Sequence, residues 1–253
     1  MAATSAHTPE FRRVINAIEK GYKLVPPLMA YLRDPDFPDF DVKVRNLGNR
    51  APDGYFHPSE HPGYSDRVLY LYLTAPEYLH YEPWDPMVNI SATAGSIWHA
   101  IIQHILLTEL KLIKGVEVRL LDEECGARGS MDGFLDDEAW EFKTMSPRMM
   151  GKIKTAEDFI ARYPKYALQA QEYMRMSGYQ RIRVLCMVVS FPFEMIEFTI
   201  DYDPVLAMGT KAKYLRVRQA VADQRMPDCG GKECTKECPA KIFCSHPFIG
   251  GPA

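Results

Sequence analysis

Within GSMDGFLDDEAWEFKTMSP, residues 129–147, Asp132, Glu141 and Lys143 have the types and spacing for metal-assisted chemistry. Glu141 and Lys143 stand two apart in a strand-like stretch, so their side chains emerge on one face. Asp132 sits before Gly133 in a second strand-like run, and the turn Asp136-Asp137-Glu138 would fold the two into a hairpin. Paired that way, Asp132 lies beside Glu141. Two carboxylates at ~4 Å repel by about 1 kcal/mol in water and roughly four times that near a protein surface. A divalent cation removes that cost, and hard oxygen ligands with open water positions suit Mg²⁺ or Mn²⁺. Such an ion would polarise a phosphate and activate water, while Lys143 orients the water or stabilises charge on phosphoryl oxygens. An acid-x-Lys triplet alone also arises as a plain polar hairpin face, so its weight depends on its surroundings.

Those surroundings must hold the triplet in place. Ile97, Trp98, Ile101, Ile102, Ile105 and Leu106 predict a helix that is apolar on one broad face. Strands are expected at residues 116–121, 130–135 and 139–145. A helix follows over about 165–177, stopping at Gly178. Two apolar strands, 183–190 and 195–200, lead to a basic helix around 204–222. The order implies an α/β fold with a mixed central β-sheet flanked by helices. Residues 1–90 form a Pro-rich N-terminal extension, with a helix expected from Thr8-Pro9-Glu10 and an apolar face of Phe11, Val14, Ile15 and Ile18. His57 and His61 lie between prolines and read as loop residues.

The net charge is −3, so any contact with nucleic acid must use a local basic surface. Lys143, Arg148, Lys152, Lys154, Arg162 and Lys165, continued by Arg175, Arg181 and Arg183, form one such group; Lys211, Lys213, Arg216 and Arg218 form another. Four of six cysteines, Cys229, Cys234, Cys238 and Cys244, crowd into a Gly/Pro-rich tail. They could hold a tetrahedral Zn²⁺ or an iron–sulfur cubane, and such usage fits a reducing, cytoplasmic setting. No apolar stretch reads as long as the ~20 residues of a membrane span.

Gly129-Ser130-Met131-Asp132-Gly133 followed by Glu141-Phe142-Lys143 resembles the active-site core of the PD-(D/E)XK nucleases, most closely their RecB-type exonuclease branch, which includes iron–sulfur nucleases of CRISPR adaptation. Gly95-Ser96-Ile97-Trp98-His99 resembles the branch's helix with an additional metal-ligating His, and Gln169-Ala170-Gln171-Glu172-Tyr173 its Gln-x-x-x-Tyr motif. The cysteine tail resembles its cluster-binding end. Met131 replaces the proline of the superfamily name, and no cysteine precedes His99.

The resemblance implies a restriction-endonuclease-like core at 91–225 and a metal-binding tail at 226–253 packed on it. It implies His99, Asp132, Glu141 and Phe142 as metal positions, and Asp132, Glu141, Lys143, Gln169 and Tyr173 as catalytic ones. Cys229, Cys234, Cys238 and Cys244 would hold a [4Fe–4S] cluster, with Zn²⁺ as the alternative. The implied activity is Mg²⁺- or Mn²⁺-dependent DNA exonuclease in recombination or repair, acting on single strands or duplex ends, with a helicase or recombination protein as partner. An endonuclease or junction resolvase with the same site, and a non-catalytic DNA-binding module, are the competing readings. No membrane partner is expected.

Overall fold

The computed structural model describes residues 21–33, 52–81, 86–190, 193–229 and 238–241. The helix expected from Thr8, and Cys234 and Cys244, lie outside them. The order is α1 (Val25–Tyr31), α2 (Asp66–Thr74), a 3-10 turn (Pro76–Tyr78), α3 (Pro86–His104) continued by a π turn (Ile105–Glu109), β1 (Val118–Asp122), β2 (Ala127–Met131), β3 (Gly133–Leu135), β4 (Glu138–Met145), α4 (Pro147–Met150), α5 (Ala156–Arg162), α6 (Pro164–Ser177), β5 (Arg181–Val188), β6 (Met195–Asp201) and α7 (Pro204–Ala222).

The local sequence explains most boundaries. Ser146, Thr155 and Asp203 accept backbone N–H groups at the starts of α4, α5 and α7. The residue after each of Ser146 and Asp203 is proline, whose missing N–H costs nothing there. Gly178 ends α6 in the left-handed conformation.

β3, β4, β5 and β6 form a mixed sheet in that order, with β4 and β5 parallel and the outer pairs antiparallel. The fold is therefore mixed α/β with a mixed sheet flanked by helices. The expected 130–135 strand is divided at Asp132: β2 pairs back to β1, and β3 pairs forward to β4 through the two-residue turn Asp136-Asp137. Gly133, just past the division, is crowded: a Cβ there would lie 2.5 Å from the Gly115 carbonyl oxygen. Only glycine lets the chain pass.

The sheet has two apolar faces. On one, Met145, Ile182, Val184 and Cys186 pack with Phe159 of α5 and Ala170, Tyr173 and Met174 of α6. On the other, Trp140, Phe142, Leu185 and Met187 pack with Leu28 of α1 and with Ile102, Ile105 and Leu106, which lie on α3 and its π turn. Each such fully buried side chain contributes about 1.5–3 kcal/mol of burial free energy. The 20-residue window Ile90–Glu109 is long and apolar enough to cross a membrane by length and composition, which corrects the sequence expectation. Its C-terminal half is the part packed on the sheet, through Ile102, Ile105 and Leu106.

Candidate metal centre

β3 pairs with β4 only as far as Trp140. From Glu141 onward the β4 edge facing away from β5 has no strand partner among the described residues. Asp132 fills the first gap: its Oδ2 accepts the Phe142 N–H at 2.7 Å, and its Oδ1 lies 3.0 Å from His99 Nε2. α3 reaches the edge from one face of the sheet. It comes close because residue 95 is glycine; a Cβ there would sit 2.6 Å from Thr144 Oγ1.

Glu141 and Lys143 share the opposite face, toward α6. The Lys143 ammonium donates to Glu141 Oε1 and, at 3.1 Å, to Gln169 Oε1, and it rests 4.8 Å from the Tyr166 ring centroid. Gln169 donates in turn to Glu141 Oε1 and to the Tyr173 hydroxyl, both at 3.1 Å. Glu141 Oε2 is buried and has no hydrogen-bond partner among the described residues. A shallow cleft opens above the edge, lined by Ala92, Gly95, Ser96 and His99 of α3, by Phe142, Lys143 and Thr144, and by Tyr166.

His99, Asp132, Glu141, Phe142, Lys143, Gln169 and Tyr173, the metal and catalytic positions expected from sequence, thus gather around one strand edge, and the described cysteines Cys229 and Cys238 do not. One was missed. Glu117 stands just before β1 in the left-handed region (φ +53°), and its Oε2 accepts from Ser130 Oγ at 2.8 Å. One ligand atom each of His99, Glu117 and Asp132 lies within 4.8 Å of the others. The signal was available only through register: Val118 pairs with Met131, so the residue before β1 faces the residue after β2. Phe142 has no ligating side chain, so only its backbone carbonyl could serve.

Two features say that this donor set fits a divalent ion. Three ligand atoms converge, and a buried carboxylate oxygen lacks a partner. The electrostatics agree. Burial, then the Asp132 charge, pushes Glu141 up to about 7, and Lys143 only partly offsets them. Burial opposes a charge on Lys143, but the Glu141 and Asp132 charges outweigh it and keep the amine protonated above its ordinary pKa. Burial likewise opposes a charge on His99 and is outweighed, chiefly by Asp132, so its pKa is raised.

The sign for stability follows. A raised carboxyl favours the protonated form when folded, so the Glu141 contribution is full below its ordinary value of 4.5 and is lost as pH rises through about 7. A ligating cation must displace protons from Glu141 and His99. Mn²⁺ affinity measured by calorimetry should therefore rise by ~10-fold or more per pH unit as pH climbs toward about 7. Equal affinities at pH 5.5 and 7 would refute this account of the site.

The basic residues divide differently from the sequence expectation. Lys211 pairs with Glu124 and Arg216 with Asp66; Lys213 donates to the Pro62 and Tyr64 carbonyls, and Arg218 to those of Gly54 and Cys125. That group clamps the 54–66 segment to α7. Arg175 is held by Asp122 and Glu172, Arg181 by Asp201, and Arg183 by Glu138 and Glu197. His57 and His61 are buried; His57 Nε2 meets Asp53, and His61 Nδ1 accepts the His57 N–H.

No family model and no curated protein matches the chain. Among solved structures, SSO0001 is similar at 15% identity, over 81% of this chain and 91% of that one, with a TM-score of 0.46. An alkaline exonuclease (LHK-Exo) from Laribacter hongkongensis is similar at 16% identity, over 69% and 91%, with a TM-score of 0.40. A phage-related exonuclease from Haemophilus somnus 129PT is similar at 12% identity, over 63% and 79%, with a TM-score of 0.40. Likenesses of this degree are distant.

Proposed function

We propose that the chain is a divalent-metal-dependent nuclease that hydrolyses phosphodiester bonds of DNA, acting from ends. The observation that carries this reading is the arrangement around Asp132. It touches His99 through one oxygen and the Phe142 N–H through the other, beside a buried Glu141 paired to Lys143. His99, Glu117, Asp132 and Glu141 would hold the ion, with the Phe142 carbonyl as a further donor. When bound, it supplies Lewis-acid stabilisation of phosphoryl charge and eases deprotonation of water.

The protein's own groups do the rest. Water forms the new P–O bond as the bond to the departing alcohol breaks, and the proton lost from water offsets the one the alcohol gains. Lys143 acts as a fixed cation beside the phosphoryl oxygens rather than as a base, since its pKa is raised. Gln169 ties Glu141, Lys143 and Tyr173 together and so fixes where that cation stands. Tyr173 keeps its proton, because burial and then the Glu141 charge push its pKa well up, and it can donate to phosphate without reading sequence.

Lys143→Ala should lower Mn²⁺-dependent cleavage by about 10²–10³-fold, the usual effect of losing one preorganised charge-stabilising group. Unchanged cleavage would remove both the exonuclease and the endonuclease readings. Linear and covalently closed circular DNA separate those two, since an end-dependent enzyme leaves circles intact. The proposal includes work in recombination or repair together with a helicase, whose Gly-x-x-x-x-Gly-Lys-[Ser/Thr] loop is not part of these 253 residues.

It also includes a [4Fe–4S] cluster on the cysteine tail. Cys229 Sγ lies 3.8 Å from Ser65 Oγ at the start of α2, and Cys238 packs against a cluster of Val68, Leu71 and Tyr72 of that helix with Leu79 and Ala240, which supports a shared site. Iron with acid-labile sulfide in anaerobically purified protein supports the cluster; stoichiometric zinc in a colourless sample excludes it.

A further inference from the structure

The two walls of the cleft differ in charge. α3 contributes Ala92, Gly95, Ser96 and His99, and half-exposed Val88, one turn before Ala92, extends the same face. From Met87 to Thr108 the sequence contains no Asp, Glu, Lys or Arg. The opposite wall begins at Lys143, Thr144 and Tyr166. The run 143–165 that connects them carries six cations, Lys143, Arg148, Lys152, Lys154, Arg162 and Lys165, against two acids, Glu157 and Asp158. The five other than Lys143 are exposed, and among the described residues none of them is in an ion pair. Elsewhere the exposed cations divide: Lys23, Arg128, Arg181 and Arg216 are in ion pairs, and among the described residues Arg33, Lys111, Lys114, Arg119 and Arg225 are not. The segment that continues the Lys143 wall therefore carries positive charge outside any ion pair, and the Val88–Ala92–Ser96 face of α3 offers an uncharged surface of small and aliphatic side chains.

We propose that the cleft selects a single DNA strand, with phosphates along the Arg148–Lys165 wall and base faces along the Val88–Ala92–Ser96 face of α3. The inference rests on the nuclease reading and names the substrate form it takes. A single strand is amphipathic in the matching sense, anionic on its backbone edge and apolar on its base faces, which pack on uncharged surface. A duplex hides those faces and presents phosphates on both rims of each groove. Seated with one strand at Asp132, it would bring the other strand's phosphates against α3, where no cation meets them. Val88 is then a specificity-determining position.

Binding of a labelled 20-nucleotide oligothymidylate and of a 20-base-pair duplex, with Ca²⁺ replacing Mn²⁺ to suppress hydrolysis, tests this directly. The parent should bind the single strand about 10-fold or more tightly than the duplex, the uncharged wall withholding the counterion release a second strand needs. Val88→Lys should raise duplex affinity several-fold, and Val88→Glu should weaken single-strand binding by a similar factor. Val88 is half-exposed, so both variants should melt like the parent. Arg148→Ala with Lys165→Ala should reduce the slope of log affinity against log salt by about two. Equal affinity for the duplex, or a Val88→Lys variant whose single-strand to duplex ratio is unchanged, overturns the inference. The same molecules assayed in Mn²⁺ keep it separate from its premise. Strand-selective binding without cleavage of either form sinks the nuclease reading and leaves the binding assignment standing. Cleavage of both forms at equal rates does the reverse.

Discussion

Asp132→Asn should abolish divalent-dependent DNA cleavage, by at least ~10³-fold, and at pH 8.5 should make the metal-free protein more heat-stable. The two effects share a cause. Asp132 stands between His99 and the Phe142 N–H, and its charge is the second largest reason, after burial, that Glu141 is pushed up to about 7. At pH 8.5, above that value, Glu141 is ionised in the fold at a cost, while the His99 contribution, full below its ordinary pKa, declines as pH rises through its raised one. Asparagine keeps an oxygen for the Phe142 N–H and removes the repelling charge. If the relief is about 1 kcal/mol, the melting temperature in chelator rises by roughly 2–4 °C for a chain of this size. Mn²⁺ should raise the melting temperature of the parent and leave that of the variant unmoved. A variant that melts lower than the parent in chelator would show that Asp132 is there for the fold. One that still responds to Mn²⁺ would show that the ion binds elsewhere.

This coupling explains which parts of the site could be read from the chain. Asp132, Glu141 and Lys143 were legible because a two-residue turn brings them together within twelve positions, and the period of a strand fixes their faces. Glu117 was not. Its place depends on the β1–β2 register and on a left-handed residue outside the strand proper. The start of α3 was read too late for a related reason. Gly95, which suggests a loop in a bare sequence, is where the helix must approach Thr144, and the helix continues back to Pro86. The basic surface was misread most, because the partners that neutralise it are distant in sequence. Arg216 meets Asp66, and Lys211 meets Glu124, across 150 and 87 positions. Composition counts charges; only the fold says which are already used.

Arg183 is the extreme case, and Arg183→Met should cost about 3–5 kcal/mol in urea unfolding, the usual effect of stripping one partner from a buried ionic cluster. Its guanidinium grips Glu138 with two bonds, at 2.7 and 3.2 Å, and Glu197 with one at 3.0 Å, all three residues being almost fully buried on the α1 side of the sheet. Glu197 in turn accepts the backbone N–H groups of Lys23, Leu24 and Val25, so one carboxylate both pairs with β5 and caps the entry to α1. Without the arginine, two buried carboxylates face each other, and the cations left near Glu138 are Lys23, at 3.7 Å, and the half-exposed Arg181, at 4.0 Å. Arg183→Met with Glu138→Leu should recover part of the loss, because it removes an orphaned charge as well as a partner. Arg183→Lys should fall between, since a point charge cannot span both carboxylates as the fork does. The cluster sits at the start of β4 and β5, and the metal centre lies farther along β4. Folded Arg183→Met protein should therefore bind Mn²⁺ with the affinity of the parent. A loss under ~1 kcal/mol would place these charges in water rather than in the core, and a collapse of Mn²⁺ binding at a temperature where the variant is folded would mean that α1 and the catalytic edge move as one unit.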